Sequence, residues 1–542
     1  MSSASSSRTR PWPAFSNFHA PTGTRTGGTC PRGPRGAVSL VVILLFFVFA
    51  GLGLAMVHAS GLHLKIGGFR KFSTALDYAS ENGLKRGLRD FASRLAANGP
   101  LAPLAEDDLE ALRTDPARGL ERLLEAAFGA PLPLLLSGSL DGMSWDSRAA
   151  CRLDRLADRG EYFRISAGLR IEASGGLVRI AARRASALEG SLGLLAGRLP
   201  LPAVPFYIKK EIADGQSTDF LEENGIRLLS RPGELLPPVP AAGGEGLVPD
   251  DISPLVVKAL NVRLFRPQDL TPGRLREALG LEPSAEPVPD GVYLVRDDLG
   301  LGGIFVQGDV EEMVLAVSGP AQLIAFRMEA GEWLLAFSPA ESRTLFRSPE
   351  GEEAFELVPL PIIIVNGKIL SLGGGAAGLD GRVEMTFDDR TPSVLDSVDL
   401  TIVSSGRITI SSHLVLQGVR WQDGLPYVKD STAQLVIFAA GRDVVSGEAR
   451  DGGIAVGARA PSELKLQGSL TAAEGGFAIE GTGKDVQVLG ALHADDYDGG
   501  GNALALVRDE RAASGEFSAN SPLTPLPYLV FTSLQVLSWW EY

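Results

Sequence analysis

The sequence predicts an α+β protein that is mainly β. It has a long N-terminal helix, a β-rich region after it, and a β-solenoid of right-handed β-helix type in its C-terminal part. Three observations lead there. One uncharged apolar run succeeds a basic leader, the composition favours turns over helices, and a strand–glycine–strand unit recurs in the last third of the chain.

The apolar run Ala37–Val57 holds 21 residues without a charge. A helix rises about 1.5 Å per residue and needs about 20 apolar residues to cross a bilayer, so this run is long enough to span. Arg8, Arg10, Arg25, Arg32 and Arg35 precede it with no acid among them. The positive-inside rule then keeps residues 1–36 in the cytoplasm and exports the rest of the chain, which is the topology of a single-pass protein of the inner membrane. A cleaved secretory signal is the competing reading, with Val57-His58-Ala59 as its small-x-small cleavage site.

Sixty-four glycines and 35 prolines among 542 residues, with 7% aromatics, suit a turn-rich β protein. Net charge is −14, and removing the leader's +5 leaves −19 from Ala37 onward. So acidic an exported portion argues against nucleic acid or an anionic membrane surface as a partner. Cys30 lies before the span, so the remainder holds one thiol, Cys151, and no internal disulfide. Five scattered histidines are too few for a His-rich metal centre.

Residues 1–36 form a leader without apolar periodicity. Leu64, Phe69, Phe72, Leu76, Leu84, Leu88, Phe91 and Leu95 continue a helix from the span to about residue 98. Gly67, Gly68, Gly83 and Gly87 predict a kink or break in it, since a helical glycine costs about 1 kcal/mol against alanine. Residues 99–230 begin as helices, with Asp107, Asp108 and Glu110 at a start and Pro116 interrupting, and turn to strands near Leu132. Arg164–Arg184 reads as a hairpin across Gly175-Gly176. Residues 231–250 form a Pro/Gly-rich linker or loop, and 251–542 the repeat-bearing β domain, with a short helix at Pro272–Leu279.

Within that domain LTIVSSGRITI (Leu400–Ile410) aligns with LVIFAAGRDVV (Leu435–Val445), matching Leu400 to Leu435, Ile402 to Ile437, Gly406 to Gly441 and Arg407 to Arg442. IVNGKIL (Ile364–Leu370) shows the same shape upstream of both, and LKLQGSLTA (Leu464–Ala472) pairs with VQVLGALHA (Val486–Ala494). Gly367, Gly406 and Gly441 mark corners where a Cβ would clash. Such units bury an apolar face only when stacked, which predicts coils. Two antiparallel hairpins in a sandwich are the alternative.

Chemistry is sparse. GGGAAG (Gly373–Gly378) has the spacing of a dinucleotide fingerprint, but a strand-like LDGRVEM comes next where a helix is required. Asp495, Asp496 and Asp498 are weak calcium candidates among glycines, without the bidentate glutamate of an EF-hand. Cys151 reads as a buried small apolar residue. The terminal SWWEY reads as a cap on the last coil. No catalytic residue, metal or cofactor is expected, and the protein is read as non-enzymatic.

The segment from Pro34 to Leu88 resembles the start of PilX-type minor pilins and K-type minor pseudopilins. A basic segment ends at Arg35-Gly36, an apolar helix comes next, and Ala75, Tyr78, Ala79, Glu81 and Gly83 match the amphipathic A-x-x-x-A-E-x-G stretch loosely, because Ser80 separates Ala79 from Glu81. The resemblance implies cleavage by a prepilin peptidase after Gly36, with Ala37 as the new N-terminus. Most such pilins carry Glu at the fifth mature residue, where this chain has Val41; the K-type proteins, which sit at filament tips, also lack it. GVYLV, GIFVQGDVEEMVL, the two Gly-Arg repeats and SWWE resemble an uncharacterised repeat-bearing domain found after such helices, and imply stacked β coils.

The expected function is therefore a minor subunit of a type IV filament or related secretion system, with a β-rich head for tip assembly, adhesion or display. Its expected partners are the lipid bilayer through Ala37–Val57, other pilin-like subunits, the prepilin peptidase, and a surface glycan. The alternative is a permanently anchored envelope protein whose solenoid binds polysaccharide.

Overall fold

The computed structural model describes residues 35–97, 101–140, 143–177, 180–212, 217–229, 247–249, 251–260, 270–297, 300–379, 381–422, 425–428 and 430–541. Residues 1–34 of the leader and nearly all of the 231–250 linker lie outside these. The protein is mostly β, with one long apolar helix at its N-terminal end. It divides at Thr74–Ala75 into two compact units.

The first unit is the N-terminal part of helix α1, Arg35–Ala97. This is one helix long and apolar enough to cross a membrane. Its apolar side chains are bare: Phe46 is 72% exposed and Met56 72%. The expected break does not occur, because α1 runs unbroken through Gly67, Gly68, Gly83 and Gly87.

In the second unit the rest of α1 lies on a six-stranded antiparallel sheet. Its strands are β1 (Leu101–Pro103), β2 (Leu134–Leu140), β3 (Met143–Asp158), β4 (Tyr162–Leu177), β5 (Ile180–Gly197) and the C-terminal strand Tyr528–Glu541, which sits between β1 and β5. Alternation along β4 places Phe163, Ile165, Ala167, Leu169, Ile171 and Ala173 on one buried face. Leu84 and Phe91 of α1 cover that face together with helices α2 (Glu106–Thr114) and α3 (Pro116–Phe128). Pro116 starts α3 as its first residue, where a missing N–H costs nothing, and the Asp115 side chain accepts from Arg118 N at 3.3 Å.

Small residues let α1 approach closely. Ala79 and Ser80 are buried, and a Cβ on Gly83 would lie 3.0 Å from Trp145 Cβ. Across from them, a Cβ on Gly175 would lie 2.2 Å from Ser80 N. This corrects the reading of Gly175-Gly176 as a turn. Both belong to β4, opposite Arg184 and Arg183 of β5, so neither is the turn. Gly175 is there to admit the helix.

The C-terminal region is built on parallel ladders. Gly300–Gln307 pairs with Ile362–Asn366, that with Asp399–Ser404, and that with Gln434–Ala439; residues 469–472, 491–494 and Phe206–Ile208 come next. The registers match the sequence alignments. Ile363 faces Ile402, Ile402 faces Ile437, and Leu464 faces Val486. Ile304, Ile363, Ile402, Ile437, Leu470, Leu492 and Phe206 form one buried column. A second ladder joins Ile369–Ala377, Ile408–Ile410 and Ile454–Val456, and a third joins residues 464–466, 486–488, Ala503–Val507 and Ile226–Leu229. Between Glu312 and Phe355 the chain instead forms an antiparallel meander.

The cap expected at the C-terminus is not there. Tyr528–Glu541 leaves the ladders and pairs along β5, with Trp539 opposite Leu188 and 54% exposed. Its alternation and aromatic content suit a strand as well as a cap, and β5 offers an edge of matching length.

Candidate functional site

The corner glycines lie where successive rungs meet. A Cβ on Gly367 would fall 2.1 Å from the carbonyl oxygen of Gly308 on the preceding rung, and Gly406 N donates to the Gly367 carbonyl at 3.0 Å. Gly441 has φ +73° and packs against Glu474. The arginine after each of the last two corners reaches the next rungs. Arg407 meets Glu480 at 2.9 Å and Asp451 at 4.0 Å, and Arg442 pairs with Glu474.

Arg407, Asp451 and Glu474 line an open cleft of about 320 Å³ together with Lys210, Asp495, Asp496 and Asp498. Its floor is bare main chain, since a Cβ on Gly475 would sit 2.5 Å from Gly453 N. The three aspartates expected as calcium candidates all line this cleft but face separate partners. Asp495 lies 3.6 Å from Lys209 Nζ, Asp496 takes the Lys210 ammonium at 2.8 Å, and Asp498 accepts from Gly500 N at 3.0 Å. The hydrogen bond from Lys210 holds the Asp496 carboxyl below its ordinary range. Among the described residues no three His, Cys, Asp or Glu side chains are grouped to hold a metal ion. The cleft thus offers charges of both signs and carbonyl edges, chemistry suited to holding a polar ligand.

A second exposed cluster surrounds Trp421, on the short hairpin Arg420–Gln422 and Leu425–Tyr427. Lys465 Nζ sits 4.5 Å from the Trp421 ring centroid and pairs with Asp389. Trp421 and Phe387 are 43% and 63% exposed.

Cys151, His413 and His493 sit in structural surroundings. Burial pushes the Cys151 thiol up to about 12, far from a reactive thiolate. His413 Nδ1 accepts from Lys465 N at 3.1 Å, and burial lowers its pKa. His493 is fully buried, its Nε2–H donating to the Val204 carbonyl and its Nδ1 3.3 Å from Thr471 Oγ1, and burial lowers it to about 4. Gly373–Gly375 lie in a strand whose successor is the strand Val383–Met385, so no helix N-terminus stands ready for a pyrophosphate.

At the N-terminal end, Gly36, Ala37 and Val41 fall in the first turns of α1, and their side chains lie outside the described set. Ala79 and Gly83 are buried on the sheet, Ala75 is half-buried, Tyr78 is exposed, and Glu81 pairs with Lys85 at 2.6 Å. Sequence reasoning missed the cleft walls Lys210, Asp451 and Glu474. The only signal for them was the repeated Gly-Arg, which marks where a cation projects but not the acid it meets. No family model, curated protein or solved structure matches this chain.

Proposed function

We propose that this protein is a pilin-like subunit anchored once in the inner membrane, with its N-terminus cytoplasmic and a non-enzymatic β-rich head outside. The observation that carries the reading is α1 itself. One unbroken helix leaves residues 42–57 bare and buries Ala79, Gly83, Leu84 and Phe91 against an antiparallel sheet. Bare apolar side chains belong in a bilayer or against other apolar helices. A stem that continues unbroken into the head can move from one to the other without unfolding, which is what entry into a filament demands. The three parallel ladders, with their stacked isoleucines and corner glycines, are read as coils of a β-solenoid that enlarges the head. Edman sequencing or mass spectrometry of the protein made with a prepilin peptidase tests the assignment. An N-methylated Ala37 is expected, and a mature chain that still starts near Met1 refutes the pilin reading.

A second reading, a permanent anchor bearing a polysaccharide-binding head, draws on the exposed Trp421 and Phe387 and on the polar cleft. It expects glycan retention by the protein that Trp421→Ala abolishes.

A further inference from the structure

The two edges of the antiparallel sheet are treated differently. At one edge, the C-terminal strand is covered by β1 over Tyr528–Val530. Beyond that its register against β5 breaks twice, at Phe531/Ser533 and at Val536/Ser538. The Thr532 carbonyl accepts from Arg508 at 3.5 Å. Bulges and partial cover are the usual means by which a sheet discourages pairing at its edge.

The opposite edge is β2, and none of these devices protects it. Its strand, LLLSGSL, runs against β3 without a register break, from Leu134 opposite Ala149 to Leu140 opposite Met143. Among the described residues β2 pairs with no other strand. No ionisable residue occurs from Pro131 to Leu140, in a chain that is 21% charged. Leu135 is 74% exposed and Ser137 and Ser139 are exposed as well. An edge of this kind presents a regular row of N–H and C=O groups that an extended chain can complete.

We propose that β2 pairs antiparallel with β2 of a second copy of this chain, joining two six-stranded sheets across a two-fold axis at Ser137. The strand's own pattern favours this occupant. With Ser137 facing the partner's Ser137, Leu135 stands opposite Ser139, Leu136 opposite Gly138 and Leu134 opposite Leu140. Near the axis each bulky side chain meets a small one, and no like charges face each other. Two copies of a strongly acidic protein repel, so an uncharged edge is where they can meet. A stable interface buries about 1,600 Å², more than one short edge supplies. The pairing therefore rests in part on the membrane-anchor reading, because confinement in one bilayer raises the effective concentration of the second copy.

The test is disulfide cross-linking of the full-length protein in membranes, with Cys30→Ser and Cys151→Ala as background. Ser137→Cys should oxidise to a covalent dimer, and a mixture of Leu135→Cys and Ser139→Cys chains should cross-link better than either alone. Arg152→Cys, whose side chain is 89% exposed on β3, serves as the collision control. Leu135→Lys placed in the Ser137→Cys chain should cut the dimer yield by about tenfold while leaving the unfolding temperature unchanged. A Ser137→Cys yield no higher than that of Arg152→Cys overturns the proposal. So does cross-linking that needs Val536→Cys on the other chain, since the other edge would then be the partner. Flotation of the same membranes reports the anchor separately: protein that floats but does not cross-link leaves the anchor standing and removes the pairing, and protein that cross-links without floating does the reverse.

Discussion

The two parts of α1 place glycine in opposite surroundings. In Ala75–Ala97, Gly83 and Gly87 face the sheet, and a Cβ on Gly87 would lie 2.9 Å from Ser147 Oγ and 3.2 Å from Ile171 Cγ2. Before Thr74, Gly51, Gly53, Gly61, Gly67 and Gly68 have nothing within 4 Å. Each costs the helix about 1 kcal/mol relative to alanine. In the packed part that cost is offset by close contact, whereas in the bare part no close contact among the described residues offsets it. The same residue type is a packing device in one stretch and a liability in the other.

Substitutions sharpen the contrast, and the largest effect belongs to the packed side. Gly175→Ala drives a methyl into the α1 backbone at Ser80, where no side chain can yield. Overpacking of this kind should cost about 3 kcal/mol and be visible as a lowered denaturation midpoint. Comparable in size is acidification, which strikes the ladders and not the helix contact. His493 has a folded pKa of about 4 against an ordinary 6.5, so the unfolded chain binds the extra proton. Stability is therefore intact above pH 6.5, falls as pH drops from 6.5 to 4, and loses about 3 kcal/mol in all. His493→Gln should flatten that part of a pH–stability profile. Gly87→Leu should cost about 2 kcal/mol, since Ser147 and Ile171 are side chains that can move. The smallest effect has the opposite sign. Gly61→Ala should raise helix stability by about 0.5–1 kcal/mol, read by thermal melts in detergent. A loss at Gly61 would show that this stretch is already packed against something in the solubilised protein.

This comparison also marks how far the sequence could be read. The repeats were legible because a parallel ladder copies its apolar pattern from rung to rung, so Leu400 and Leu435 announce their pairing by likeness. The helix was legible from its run of apolar residues. Gly83, Gly87 and Gly175 were misread because their reason lies on another element: the sequence near Gly175 carries no trace of Ser80, which belongs to a helix far upstream. The C-terminal strand was misplaced for the same cause, its partner β5 lying near the other end of the chain. Of the cleft's charges, Arg407 was visible through its repeat match with Arg442, while Asp451, Glu474 and Lys210 resemble any other surface charge until the strands are stacked.

The return of the final strand to the first sheet has a consequence for the order of events during folding. Tyr528 meets Gly197, and nearly all of the ladder region lies between them in the chain. While the chain is being made, β5 waits with one flank unpaired until the last strand arrives. Contacts of such long sequence separation form late and slowly. The sheet that grips α1 is thus completed only after the ladder region has been made, so a finished helix–sheet contact reports that nearly the whole chain is present.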